Sequence, residues 1–195
     1  MVLLVPQLGN QVPTTRLSYS YFIASISDDS LQGTSKGIFL HRIHLPSSPS
    51  QWALILLGIM GSPDPQYNRQ LNGIGGGISS LSKICVVSEP NAELKKHPEM
   101  GVQVEYTFVQ IGVRDETVDF SGNCGNLSAV VGAFALDEGM CTSGVRSNNG
   151  TTTTIRSFNT NTQKIIDTTF PITTTSDGRV LRSEQTRDVY WRPPK

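Results

Sequence analysis

One stretch of this 195-residue chain collects the ingredients of a reaction site: Asp119 to Gly139, reading D-F-S-G-N-C-G-N-L-S-A-V-V-G-A-F-A-L-D-E-G. Cys124 stands in a turn rich in glycine and asparagine that runs directly into an apolar helix. Gly122 and Gly125 let backbone approach a ligand closely. The first turn of the helix leaves four N–H groups without intrahelical partners, and with the positive end of the helix dipole they favour an anion. A thiol at that point has its pKa drawn down by the same field. A carboxylate and a reactive sulfur therefore suit the same spot. The plain alternative is a core helix whose cysteine is an ordinary small apolar residue.

The helix itself says how it is housed. Leu127, Val130, Val131, Phe134 and Ala135 follow the i, i+3, i+4, i+7, i+8 spacing, while the other side carries Ala129, Gly132, Ala133 and Leu136. No polar stripe remains between Ser128 and Asp137, so the helix is expected to be buried on all sides and to end at Gly139. The rest of the chain is rich in Thr, Val, Ile and short runs bounded by turns, which suits a curved sheet wrapped around this helix. The fold class expected is α+β.

Along the chain, residues 1–32 mix Ser, Thr, Asp and Pro and read as an irregular lead. A short strand is expected over Gly37 to His41, a core helix over residues 50–60 after the Ser48-Pro49-Ser50 start signal, and a turn at Gly61 to Pro65. Leu71 to Gly77 reads as a very flexible loop feeding Ser79 to Lys83 and a strand over Ile84 to Val87. Glu93 to Glu99 reads as a solvated loop. Val102 to Val113 alternates as a half-buried strand does, and Thr151 to Phe158 and Gln163 to Ile172 read as two strands joined around Asn159 to Asn161. Beyond Ser176 the apolar pattern fades, and 176–195 reads as a poorly ordered tail or the start of a further domain.

Composition narrows the function. Sixteen basic and sixteen acidic residues cancel, so no global field points to nucleic acid or an anionic membrane. Three widely spaced cysteines, Cys85, Cys124 and Cys141, make neither a disulfide framework nor a zinc motif and suit a reducing compartment. The apolar runs Met1 to Val5 and Trp52 to Met60 are too short for a signal h-region or a bilayer span, and the expectation is a soluble, cytoplasmic protein. The Gly73 to Gly77 loop lacks the Gly-Lys-Ser/Thr of a nucleotide P-loop. His41 and His44 have no acidic or cysteine partner nearby and read as surface residues, so no metal is expected.

Five motifs, taken in order, carry more information than any one of them: Gly33-Thr34-Ser35-Lys36-Gly37, Gly61-Ser62-Pro63-Asp64, Asn72-Gly73-Ile74-Gly75-Gly76, Ser79-Ser80-Leu81-Ser82-Lys83 and Ser121-Gly122-Asn123-Cys124-Gly125-Asn126. In order and spacing they resemble the PrpF-like family, which includes 2-methylaconitate isomerase, 4-oxalomesaconate tautomerase and aconitate isomerases. The resemblance covers residues 33–175 and the N-terminal half of the family's length. It implies a fold like that of diaminopimelate epimerase: two similar domains, each a mostly antiparallel sheet curled around a central helix, with the active site in the cleft between them. It also implies catalytic roles for Lys83, as the proton-transferring base, and for Ser35 and Cys124. Thr34, Gly75, Gly76, Ser79, Ser80, Asn123, Gly125 and Asn126 become the implied substrate contacts.

The chemistry so implied is the shift of a C=C bond in an unsaturated di- or tricarboxylate without metal or organic cofactor. A base removes an allylic C–H proton, an anion of dienolate type is stabilised, and the proton returns at another carbon. A lysine serves when its surroundings bring its pKa towards working pH, and helix and loop amides hold the charge. Cys124 either shares the proton transfer or shapes the anion site. The chain departs from the pattern at Leu31-Gln32, where arginine and glycine are usual, and at Asn72, where aspartate is. Two alternatives to an active isomerase stand beside it: a truncated, catalytically inactive remnant that binds carboxylates or a partner protein, and a racemase using Cys85 against Cys124. A half-length chain is also expected to be able to pair with a second copy as a homodimer.

Overall fold

The computed structural model describes residues 22–25, 35–141, 147–148, 150–176, 180–183 and 190–192. Ten strands form one curled, mixed sheet with few helices. Its path runs β1 (Phe22–Ser25), β2 (Lys36–His41), β3 (Lys83–Ser88), β4 (Val104–Ile111), β7 (Thr152–Asn159), β8 (Lys164–Thr174) and β10 (Tyr190–Arg192). The short β5 (Val118–Asp119), β6 (Ser147–Asn148) and β9 (Val180–Arg182) pair with β4, β7 and β8 respectively. Two contacts, β2 with β3 and β4 with β7, are parallel, and the other pairings are antiparallel.

Among the described residues three α-helices accompany the sheet: α1 (Trp52–Met60), the single turn α2 (Ala92–Lys95) and α3 (Gly125–Asp137). Strands β2 and β3 are buried on both faces, as central strands between two layers must be. One face puts Ile38, Leu40, Ile84, Val86, Val109 and Ile111 against Trp52, Leu56, Leu57 and Met60 of α1. The other puts Phe39, Cys85, Val87, Tyr106 and Phe108 in one cluster with Leu127, Val131 and Phe134 of α3. Strands β7 and β8 alternate buried and half-exposed positions. Their inner residues Ile155, Ile166 and Phe170 also join the α3 cluster. Helix α3 touches strands from β2 to β10, and nine of its thirteen residues are buried. Gly139 follows it at φ 70°, with the Met140 N–H donating to the Ala135 carbonyl at 2.9 Å.

Two glycines let α3 come this close. A Cβ on Gly37 would lie 2.5 Å from Leu127 Cδ1 and 3.1 Å from the Lys83 carbonyl oxygen. One on Gly132 would lie 2.8 Å from Ile155 Cβ and would run into Thr168 Oγ1. Near its start the helix thus rests Leu127 on the sheet backbone, and at its middle its own backbone comes down on side chains of β7 and β8.

Several expectations give way. Phe22–Ser25, within the lead read as irregular, is a strand on the edge of β2, and the tail contributes β9 and β10 to the edge of β8. Such short strands draw their order from pairing with a neighbour, which no local pattern encodes. The loop read over Glu93 to Glu99 contains α2, because the Asn91 side chain accepts from the N–H groups of Glu93 and Leu94, both at 3.0 Å, the bonds of an N-cap.

The contact at Gly37 predicts that Gly37→Ala destabilises the fold by about 1–3 kcal/mol, the usual range for overpacking. Gly125→Ala, whose Cβ would meet nothing within 4 Å, serves as the control. Urea unfolding should show a lower midpoint for the first and an almost unchanged one for the second. Equal midpoints would remove the close approach from the account.

Candidate active site

Lys83 opens β3, and in the parallel register of β2 and β3 it sits opposite Gly37. Ser35 lies two residues before Gly37, on the lead into β2, and is buried. Cys124 is the residue that caps the start of α3, in extended conformation. Sequence separations of 41 to 89 residues collapse here into one cluster. Lys83 Nζ donates to Ser35 Oγ at 2.9 Å and reaches Cys124 Sγ at 3.6 Å. Cys124 Sγ lies 3.6 Å from Ser35 Oγ, and Asn126 Nδ2 approaches the same oxygen at 3.5 Å. An amine, a hydroxyl and a thiol thus form a triangle at the N-terminus of a buried helix.

The cluster opens into a pocket of about 490 Å³ lined by Lys83, Phe108, Gln110, Asp119 and the turn Gly122 to Asn126. That volume suits a small molecule. Lys83 is the cation of this lining and Asp119 its acid. Hydrogen bonds from the Ser121 hydroxyl and the Ser121 N–H hold the Asp119 carboxyl below its ordinary range.

Burial works against ionisation of Cys124. The Leu127 N–H, the Ser35 hydroxyl, the charge of Lys83 and the Asn126 N–H outweigh it, so the thiol titrates below its ordinary value. Cys85 and Cys141 are the reverse case, since burial pushes both thiols up, that of Cys141 to about 12. Cys85 lies two residues along β3 from Lys83 but is wholly buried, so it is no second reacting thiol facing Cys124.

Of the residues expected at the site, Lys83, Cys124, Ser35, Asn123, Gly125 and Asn126 come together. Thr34 lies outside the described residues. Gly75, Gly76, Ser79 and Ser80 are not part of this pocket's lining. The glycine loop is instead a helix cap: the N–H groups of Ile74 and Gly75 donate to the Ile59 and Met60 carbonyls at 3.0 and 3.2 Å, and that of Gly76 to the Leu81 carbonyl at 3.2 Å. The first two bonds satisfy carbonyls that the end of α1 leaves unpaired. A Cβ on Gly73 would run into the Gly61 backbone, so its glycines serve close packing rather than the flexibility expected. The Ser79 carbonyl is taken by Gln110 Nε2 at 3.0 Å.

Other residues gave no sign of themselves in the sequence. Gln70, buried at φ 53°, accepts the Gly77 N–H and the Ser82 hydroxyl on Oε1 and donates to Ser62 Oγ. It thereby fixes the loop that delivers Lys83. Asn161 accepts the Phe108 N–H at 2.7 Å and donates to the Phe108 and Phe120 carbonyls, completing the β4 ladder where β7 has ended. Among the described residues no group of three or more His, Cys, Asp or Glu is arranged for a metal, and no helix is long and apolar enough to cross a membrane. The His41 and His44 rings meet edge to face at 5.8 Å.

Comparison with known proteins shows the family of this chain. The family model described as PrpF protein matches residues 30–186. The chain is 40% identical to 2-methyl-aconitate isomerase of Shewanella oneidensis over 153 residues, covering 76% of this chain and 35% of that protein. It is 36% identical to 4-oxalomesaconate tautomerase of Pseudomonas putida over 155 residues, covering 80% and 38%. The crystal structure of methylitaconate-delta-isomerase superposes with a TM-score of 0.60 at 37% identity, over 75% of this chain and 33% of that one. The chain belongs to the PrpF family. The matched stretch spans about a third of the length of these relatives.

The Cys124 surroundings predict its reactivity. Alkylation by iodoacetamide should follow pH with a midpoint below the ordinary thiol value of about 8.5. Lys83→Met should move that midpoint up by withdrawing the neighbouring charge. Cys85 and Cys141 should stay unlabelled until the protein is unfolded. A midpoint indifferent to Lys83→Met would mean the two groups do not sense each other.

Proposed function

We propose that this chain carries the proton-transfer half-site of an isomerase that shifts a C=C bond in an unsaturated di- or tricarboxylate of the aconitate type. The observation that carries the reading is the triangle of Lys83, Ser35 and Cys124 at the head of α3. The relatives' names, 2-methyl-aconitate isomerase and 4-oxalomesaconate tautomerase, place substrates of that class in the family.

Lys83, once its proton has passed to the Cys124 thiolate 3.6 Å away, takes an allylic C–H proton as the amine. The electron pair spreads onto the adjoining carboxylate, whose charge the N-terminal amides of α3 and the Asn126 carboxamide receive. Return of a proton at the other end of the allyl system, from Lys83 or from the Cys124 thiol, completes the shift without net change in atoms. Ser35 lies between the two groups, able to accept from Nζ while donating to sulfur, and so couples their protonation. Gly125 contributes N–H and space. Gly75, Gly76, Ser79 and Ser80 act at one remove, by holding the loop that ends in Lys83, and Thr34 joins Ser35 at the substrate.

Residues 33–175 then constitute the first of two domains of a diaminopimelate-epimerase-like protein, with the sheet wrapped around α3 and the pocket forming one wall of a cleft. The opposite wall comes from a second domain or a second copy. The same amine and helix N-terminus also suit a second reading: carboxylate binding without turnover.

With cis-aconitate, trans-aconitate or methylaconitate in deuterated water, proton NMR should show exchange of an allylic hydrogen for at least one of them. Lys83→Ala should lower that rate about 10²–10⁴-fold, the range for loss of a general base, with the fold retained. No exchange in folded protein with any of the three contradicts catalysis, and calorimetric binding in that same sample selects the second reading.

A further inference from the structure

We infer that Tyr106, Ser128 and Asn159 are positioning residues that fix the Asn123 carboxamide with its oxygen inward and its NH₂ towards the pocket, which makes Asn123 a donor reserved for substrate oxygen. Three polar groups converge on Asn123 Oδ1: Tyr106 Oη at 3.2 Å, Ser128 Oγ at 3.1 Å and Asn159 Nδ2 at 3.1 Å; the two hydroxyls also meet each other at 2.7 Å, so the oxygen accepts from the Asn159 amide and from one of them. Ser128 and Asn159 are wholly buried and Tyr106 is 1% exposed, whereas Asn123 lies at the surface. Placing three polar groups under one exposed amide is costly unless each is satisfied.

The direction of the amide follows from a chain of donors that begins in the backbone. The Thr162 N–H, which can only donate, gives its hydrogen to Asn159 Oδ1 at 2.7 Å, and the Thr162 hydroxyl adds a second bond at 2.9 Å. The other end of Asn159 is therefore its NH₂, which obliges Asn123 to present oxygen to it. Asn123 borders the pocket, so its own NH₂ is the end left facing a ligand. The turn between β7 and β8 thus dictates, through two amides, the polarity of a group beside Cys124. The Cys124 carbonyl, 2.9 Å from Ser128 Oγ, is a second acceptor for that hydroxyl's one hydrogen and ties the same cluster to the residue that heads α3.

A donor here, together with Lys83, selects carboxylate or carbonyl oxygen and disfavours an ammonium. That consequence rests on the proposed function, but the locked orientation does not. The test therefore has an arm that needs no substrate. In Asn123→Asp the introduced carboxylate accepts from the Asn159 amide and the Tyr106–Ser128 hydroxyl pair, so its carbon-13 NMR titration should have a midpoint below the ordinary value of about 3.9. Lys83, Cys124 and Asp119 also act on that midpoint, so the deciding comparison adds Tyr106→Phe or Asn159→Ala, each of which should move it back up. An ordinary midpoint, or one that ignores both additions, overturns the inference.

The second arm uses cis-aconitate. Tyr106→Phe should weaken its binding several-fold in the parent chain and have no further effect when Asn123→Ala is already present. Equal losses in both backgrounds would mean that Tyr106 acts only through general stability. If the parent chain binds none of cis-aconitate, trans-aconitate and methylaconitate, the proposed function fails and the titration still decides the orientation.

Discussion

The site depends on how closely α3 lies against the sheet. Gly37 presents no side chain to Leu127, so the first turn of the helix settles onto the backbone of β2 and β3 at the point where Ser35 and Lys83 emerge. In the middle of the helix Gly132 lets its backbone come down onto the side chains of Ile155 and Thr168. With a helix held at that distance, Cys124 is within 3.6 Å of both partners. Displacement by the width of a methyl group would lengthen each of these contacts beyond useful reach. The core packing and the chemistry are therefore one constraint: the apolar burial of Leu127, Val131 and Phe134 seats the helix, and its terminus supplies the field.

That field acts in a setting with little competing charge. Lys83 is the cation of the pocket lining, and the amides at the start of α3 add partial positive charge without any side-chain entropy to lose. The thiol responds by titrating below its ordinary value despite burial, and a carboxylate would be held by the same groups. Asp119, kept ionised by Ser121, bounds this positive region on one side. An anionic ligand is thereby directed towards the cysteine turn rather than across the whole pocket.

Much of this was legible in the sequence where periodicity or a special residue type carries the information. The all-apolar α3, the alternation of β4, β7 and β8, and the αL glycine after α3 each follow from local pattern. The alignment of Ser35, Lys83 and Cys124 does not. It rests on a parallel register between β2 and β3, and only the ordered motifs of a known family pointed to it. The glycine run from Gly73 to Gly77 misled because glycine serves equally for flexibility and for close backbone contact, and sequence alone does not separate them. Gln70, Asn159 and Asn161 left no trace, since each works as a substitute for backbone hydrogen bonding across distant segments. β1, β9 and β10 were invisible for a related reason: they are short and are ordered by the edges they join.

The central claim is that the amine of Lys83 and the N-terminus of α3 grip one small acid together. Amide NMR of the nitrogen-15-labelled chain during titration with cis-aconitate tests it most directly, because it reports each backbone position separately. The account predicts saturable shifts concentrated at Cys124, Gly125, Asn126 and Leu127 and at Lys83, with β8 unmoved. Saturable shifts confined to another part of the molecule, leaving the head of α3 silent, would contradict it.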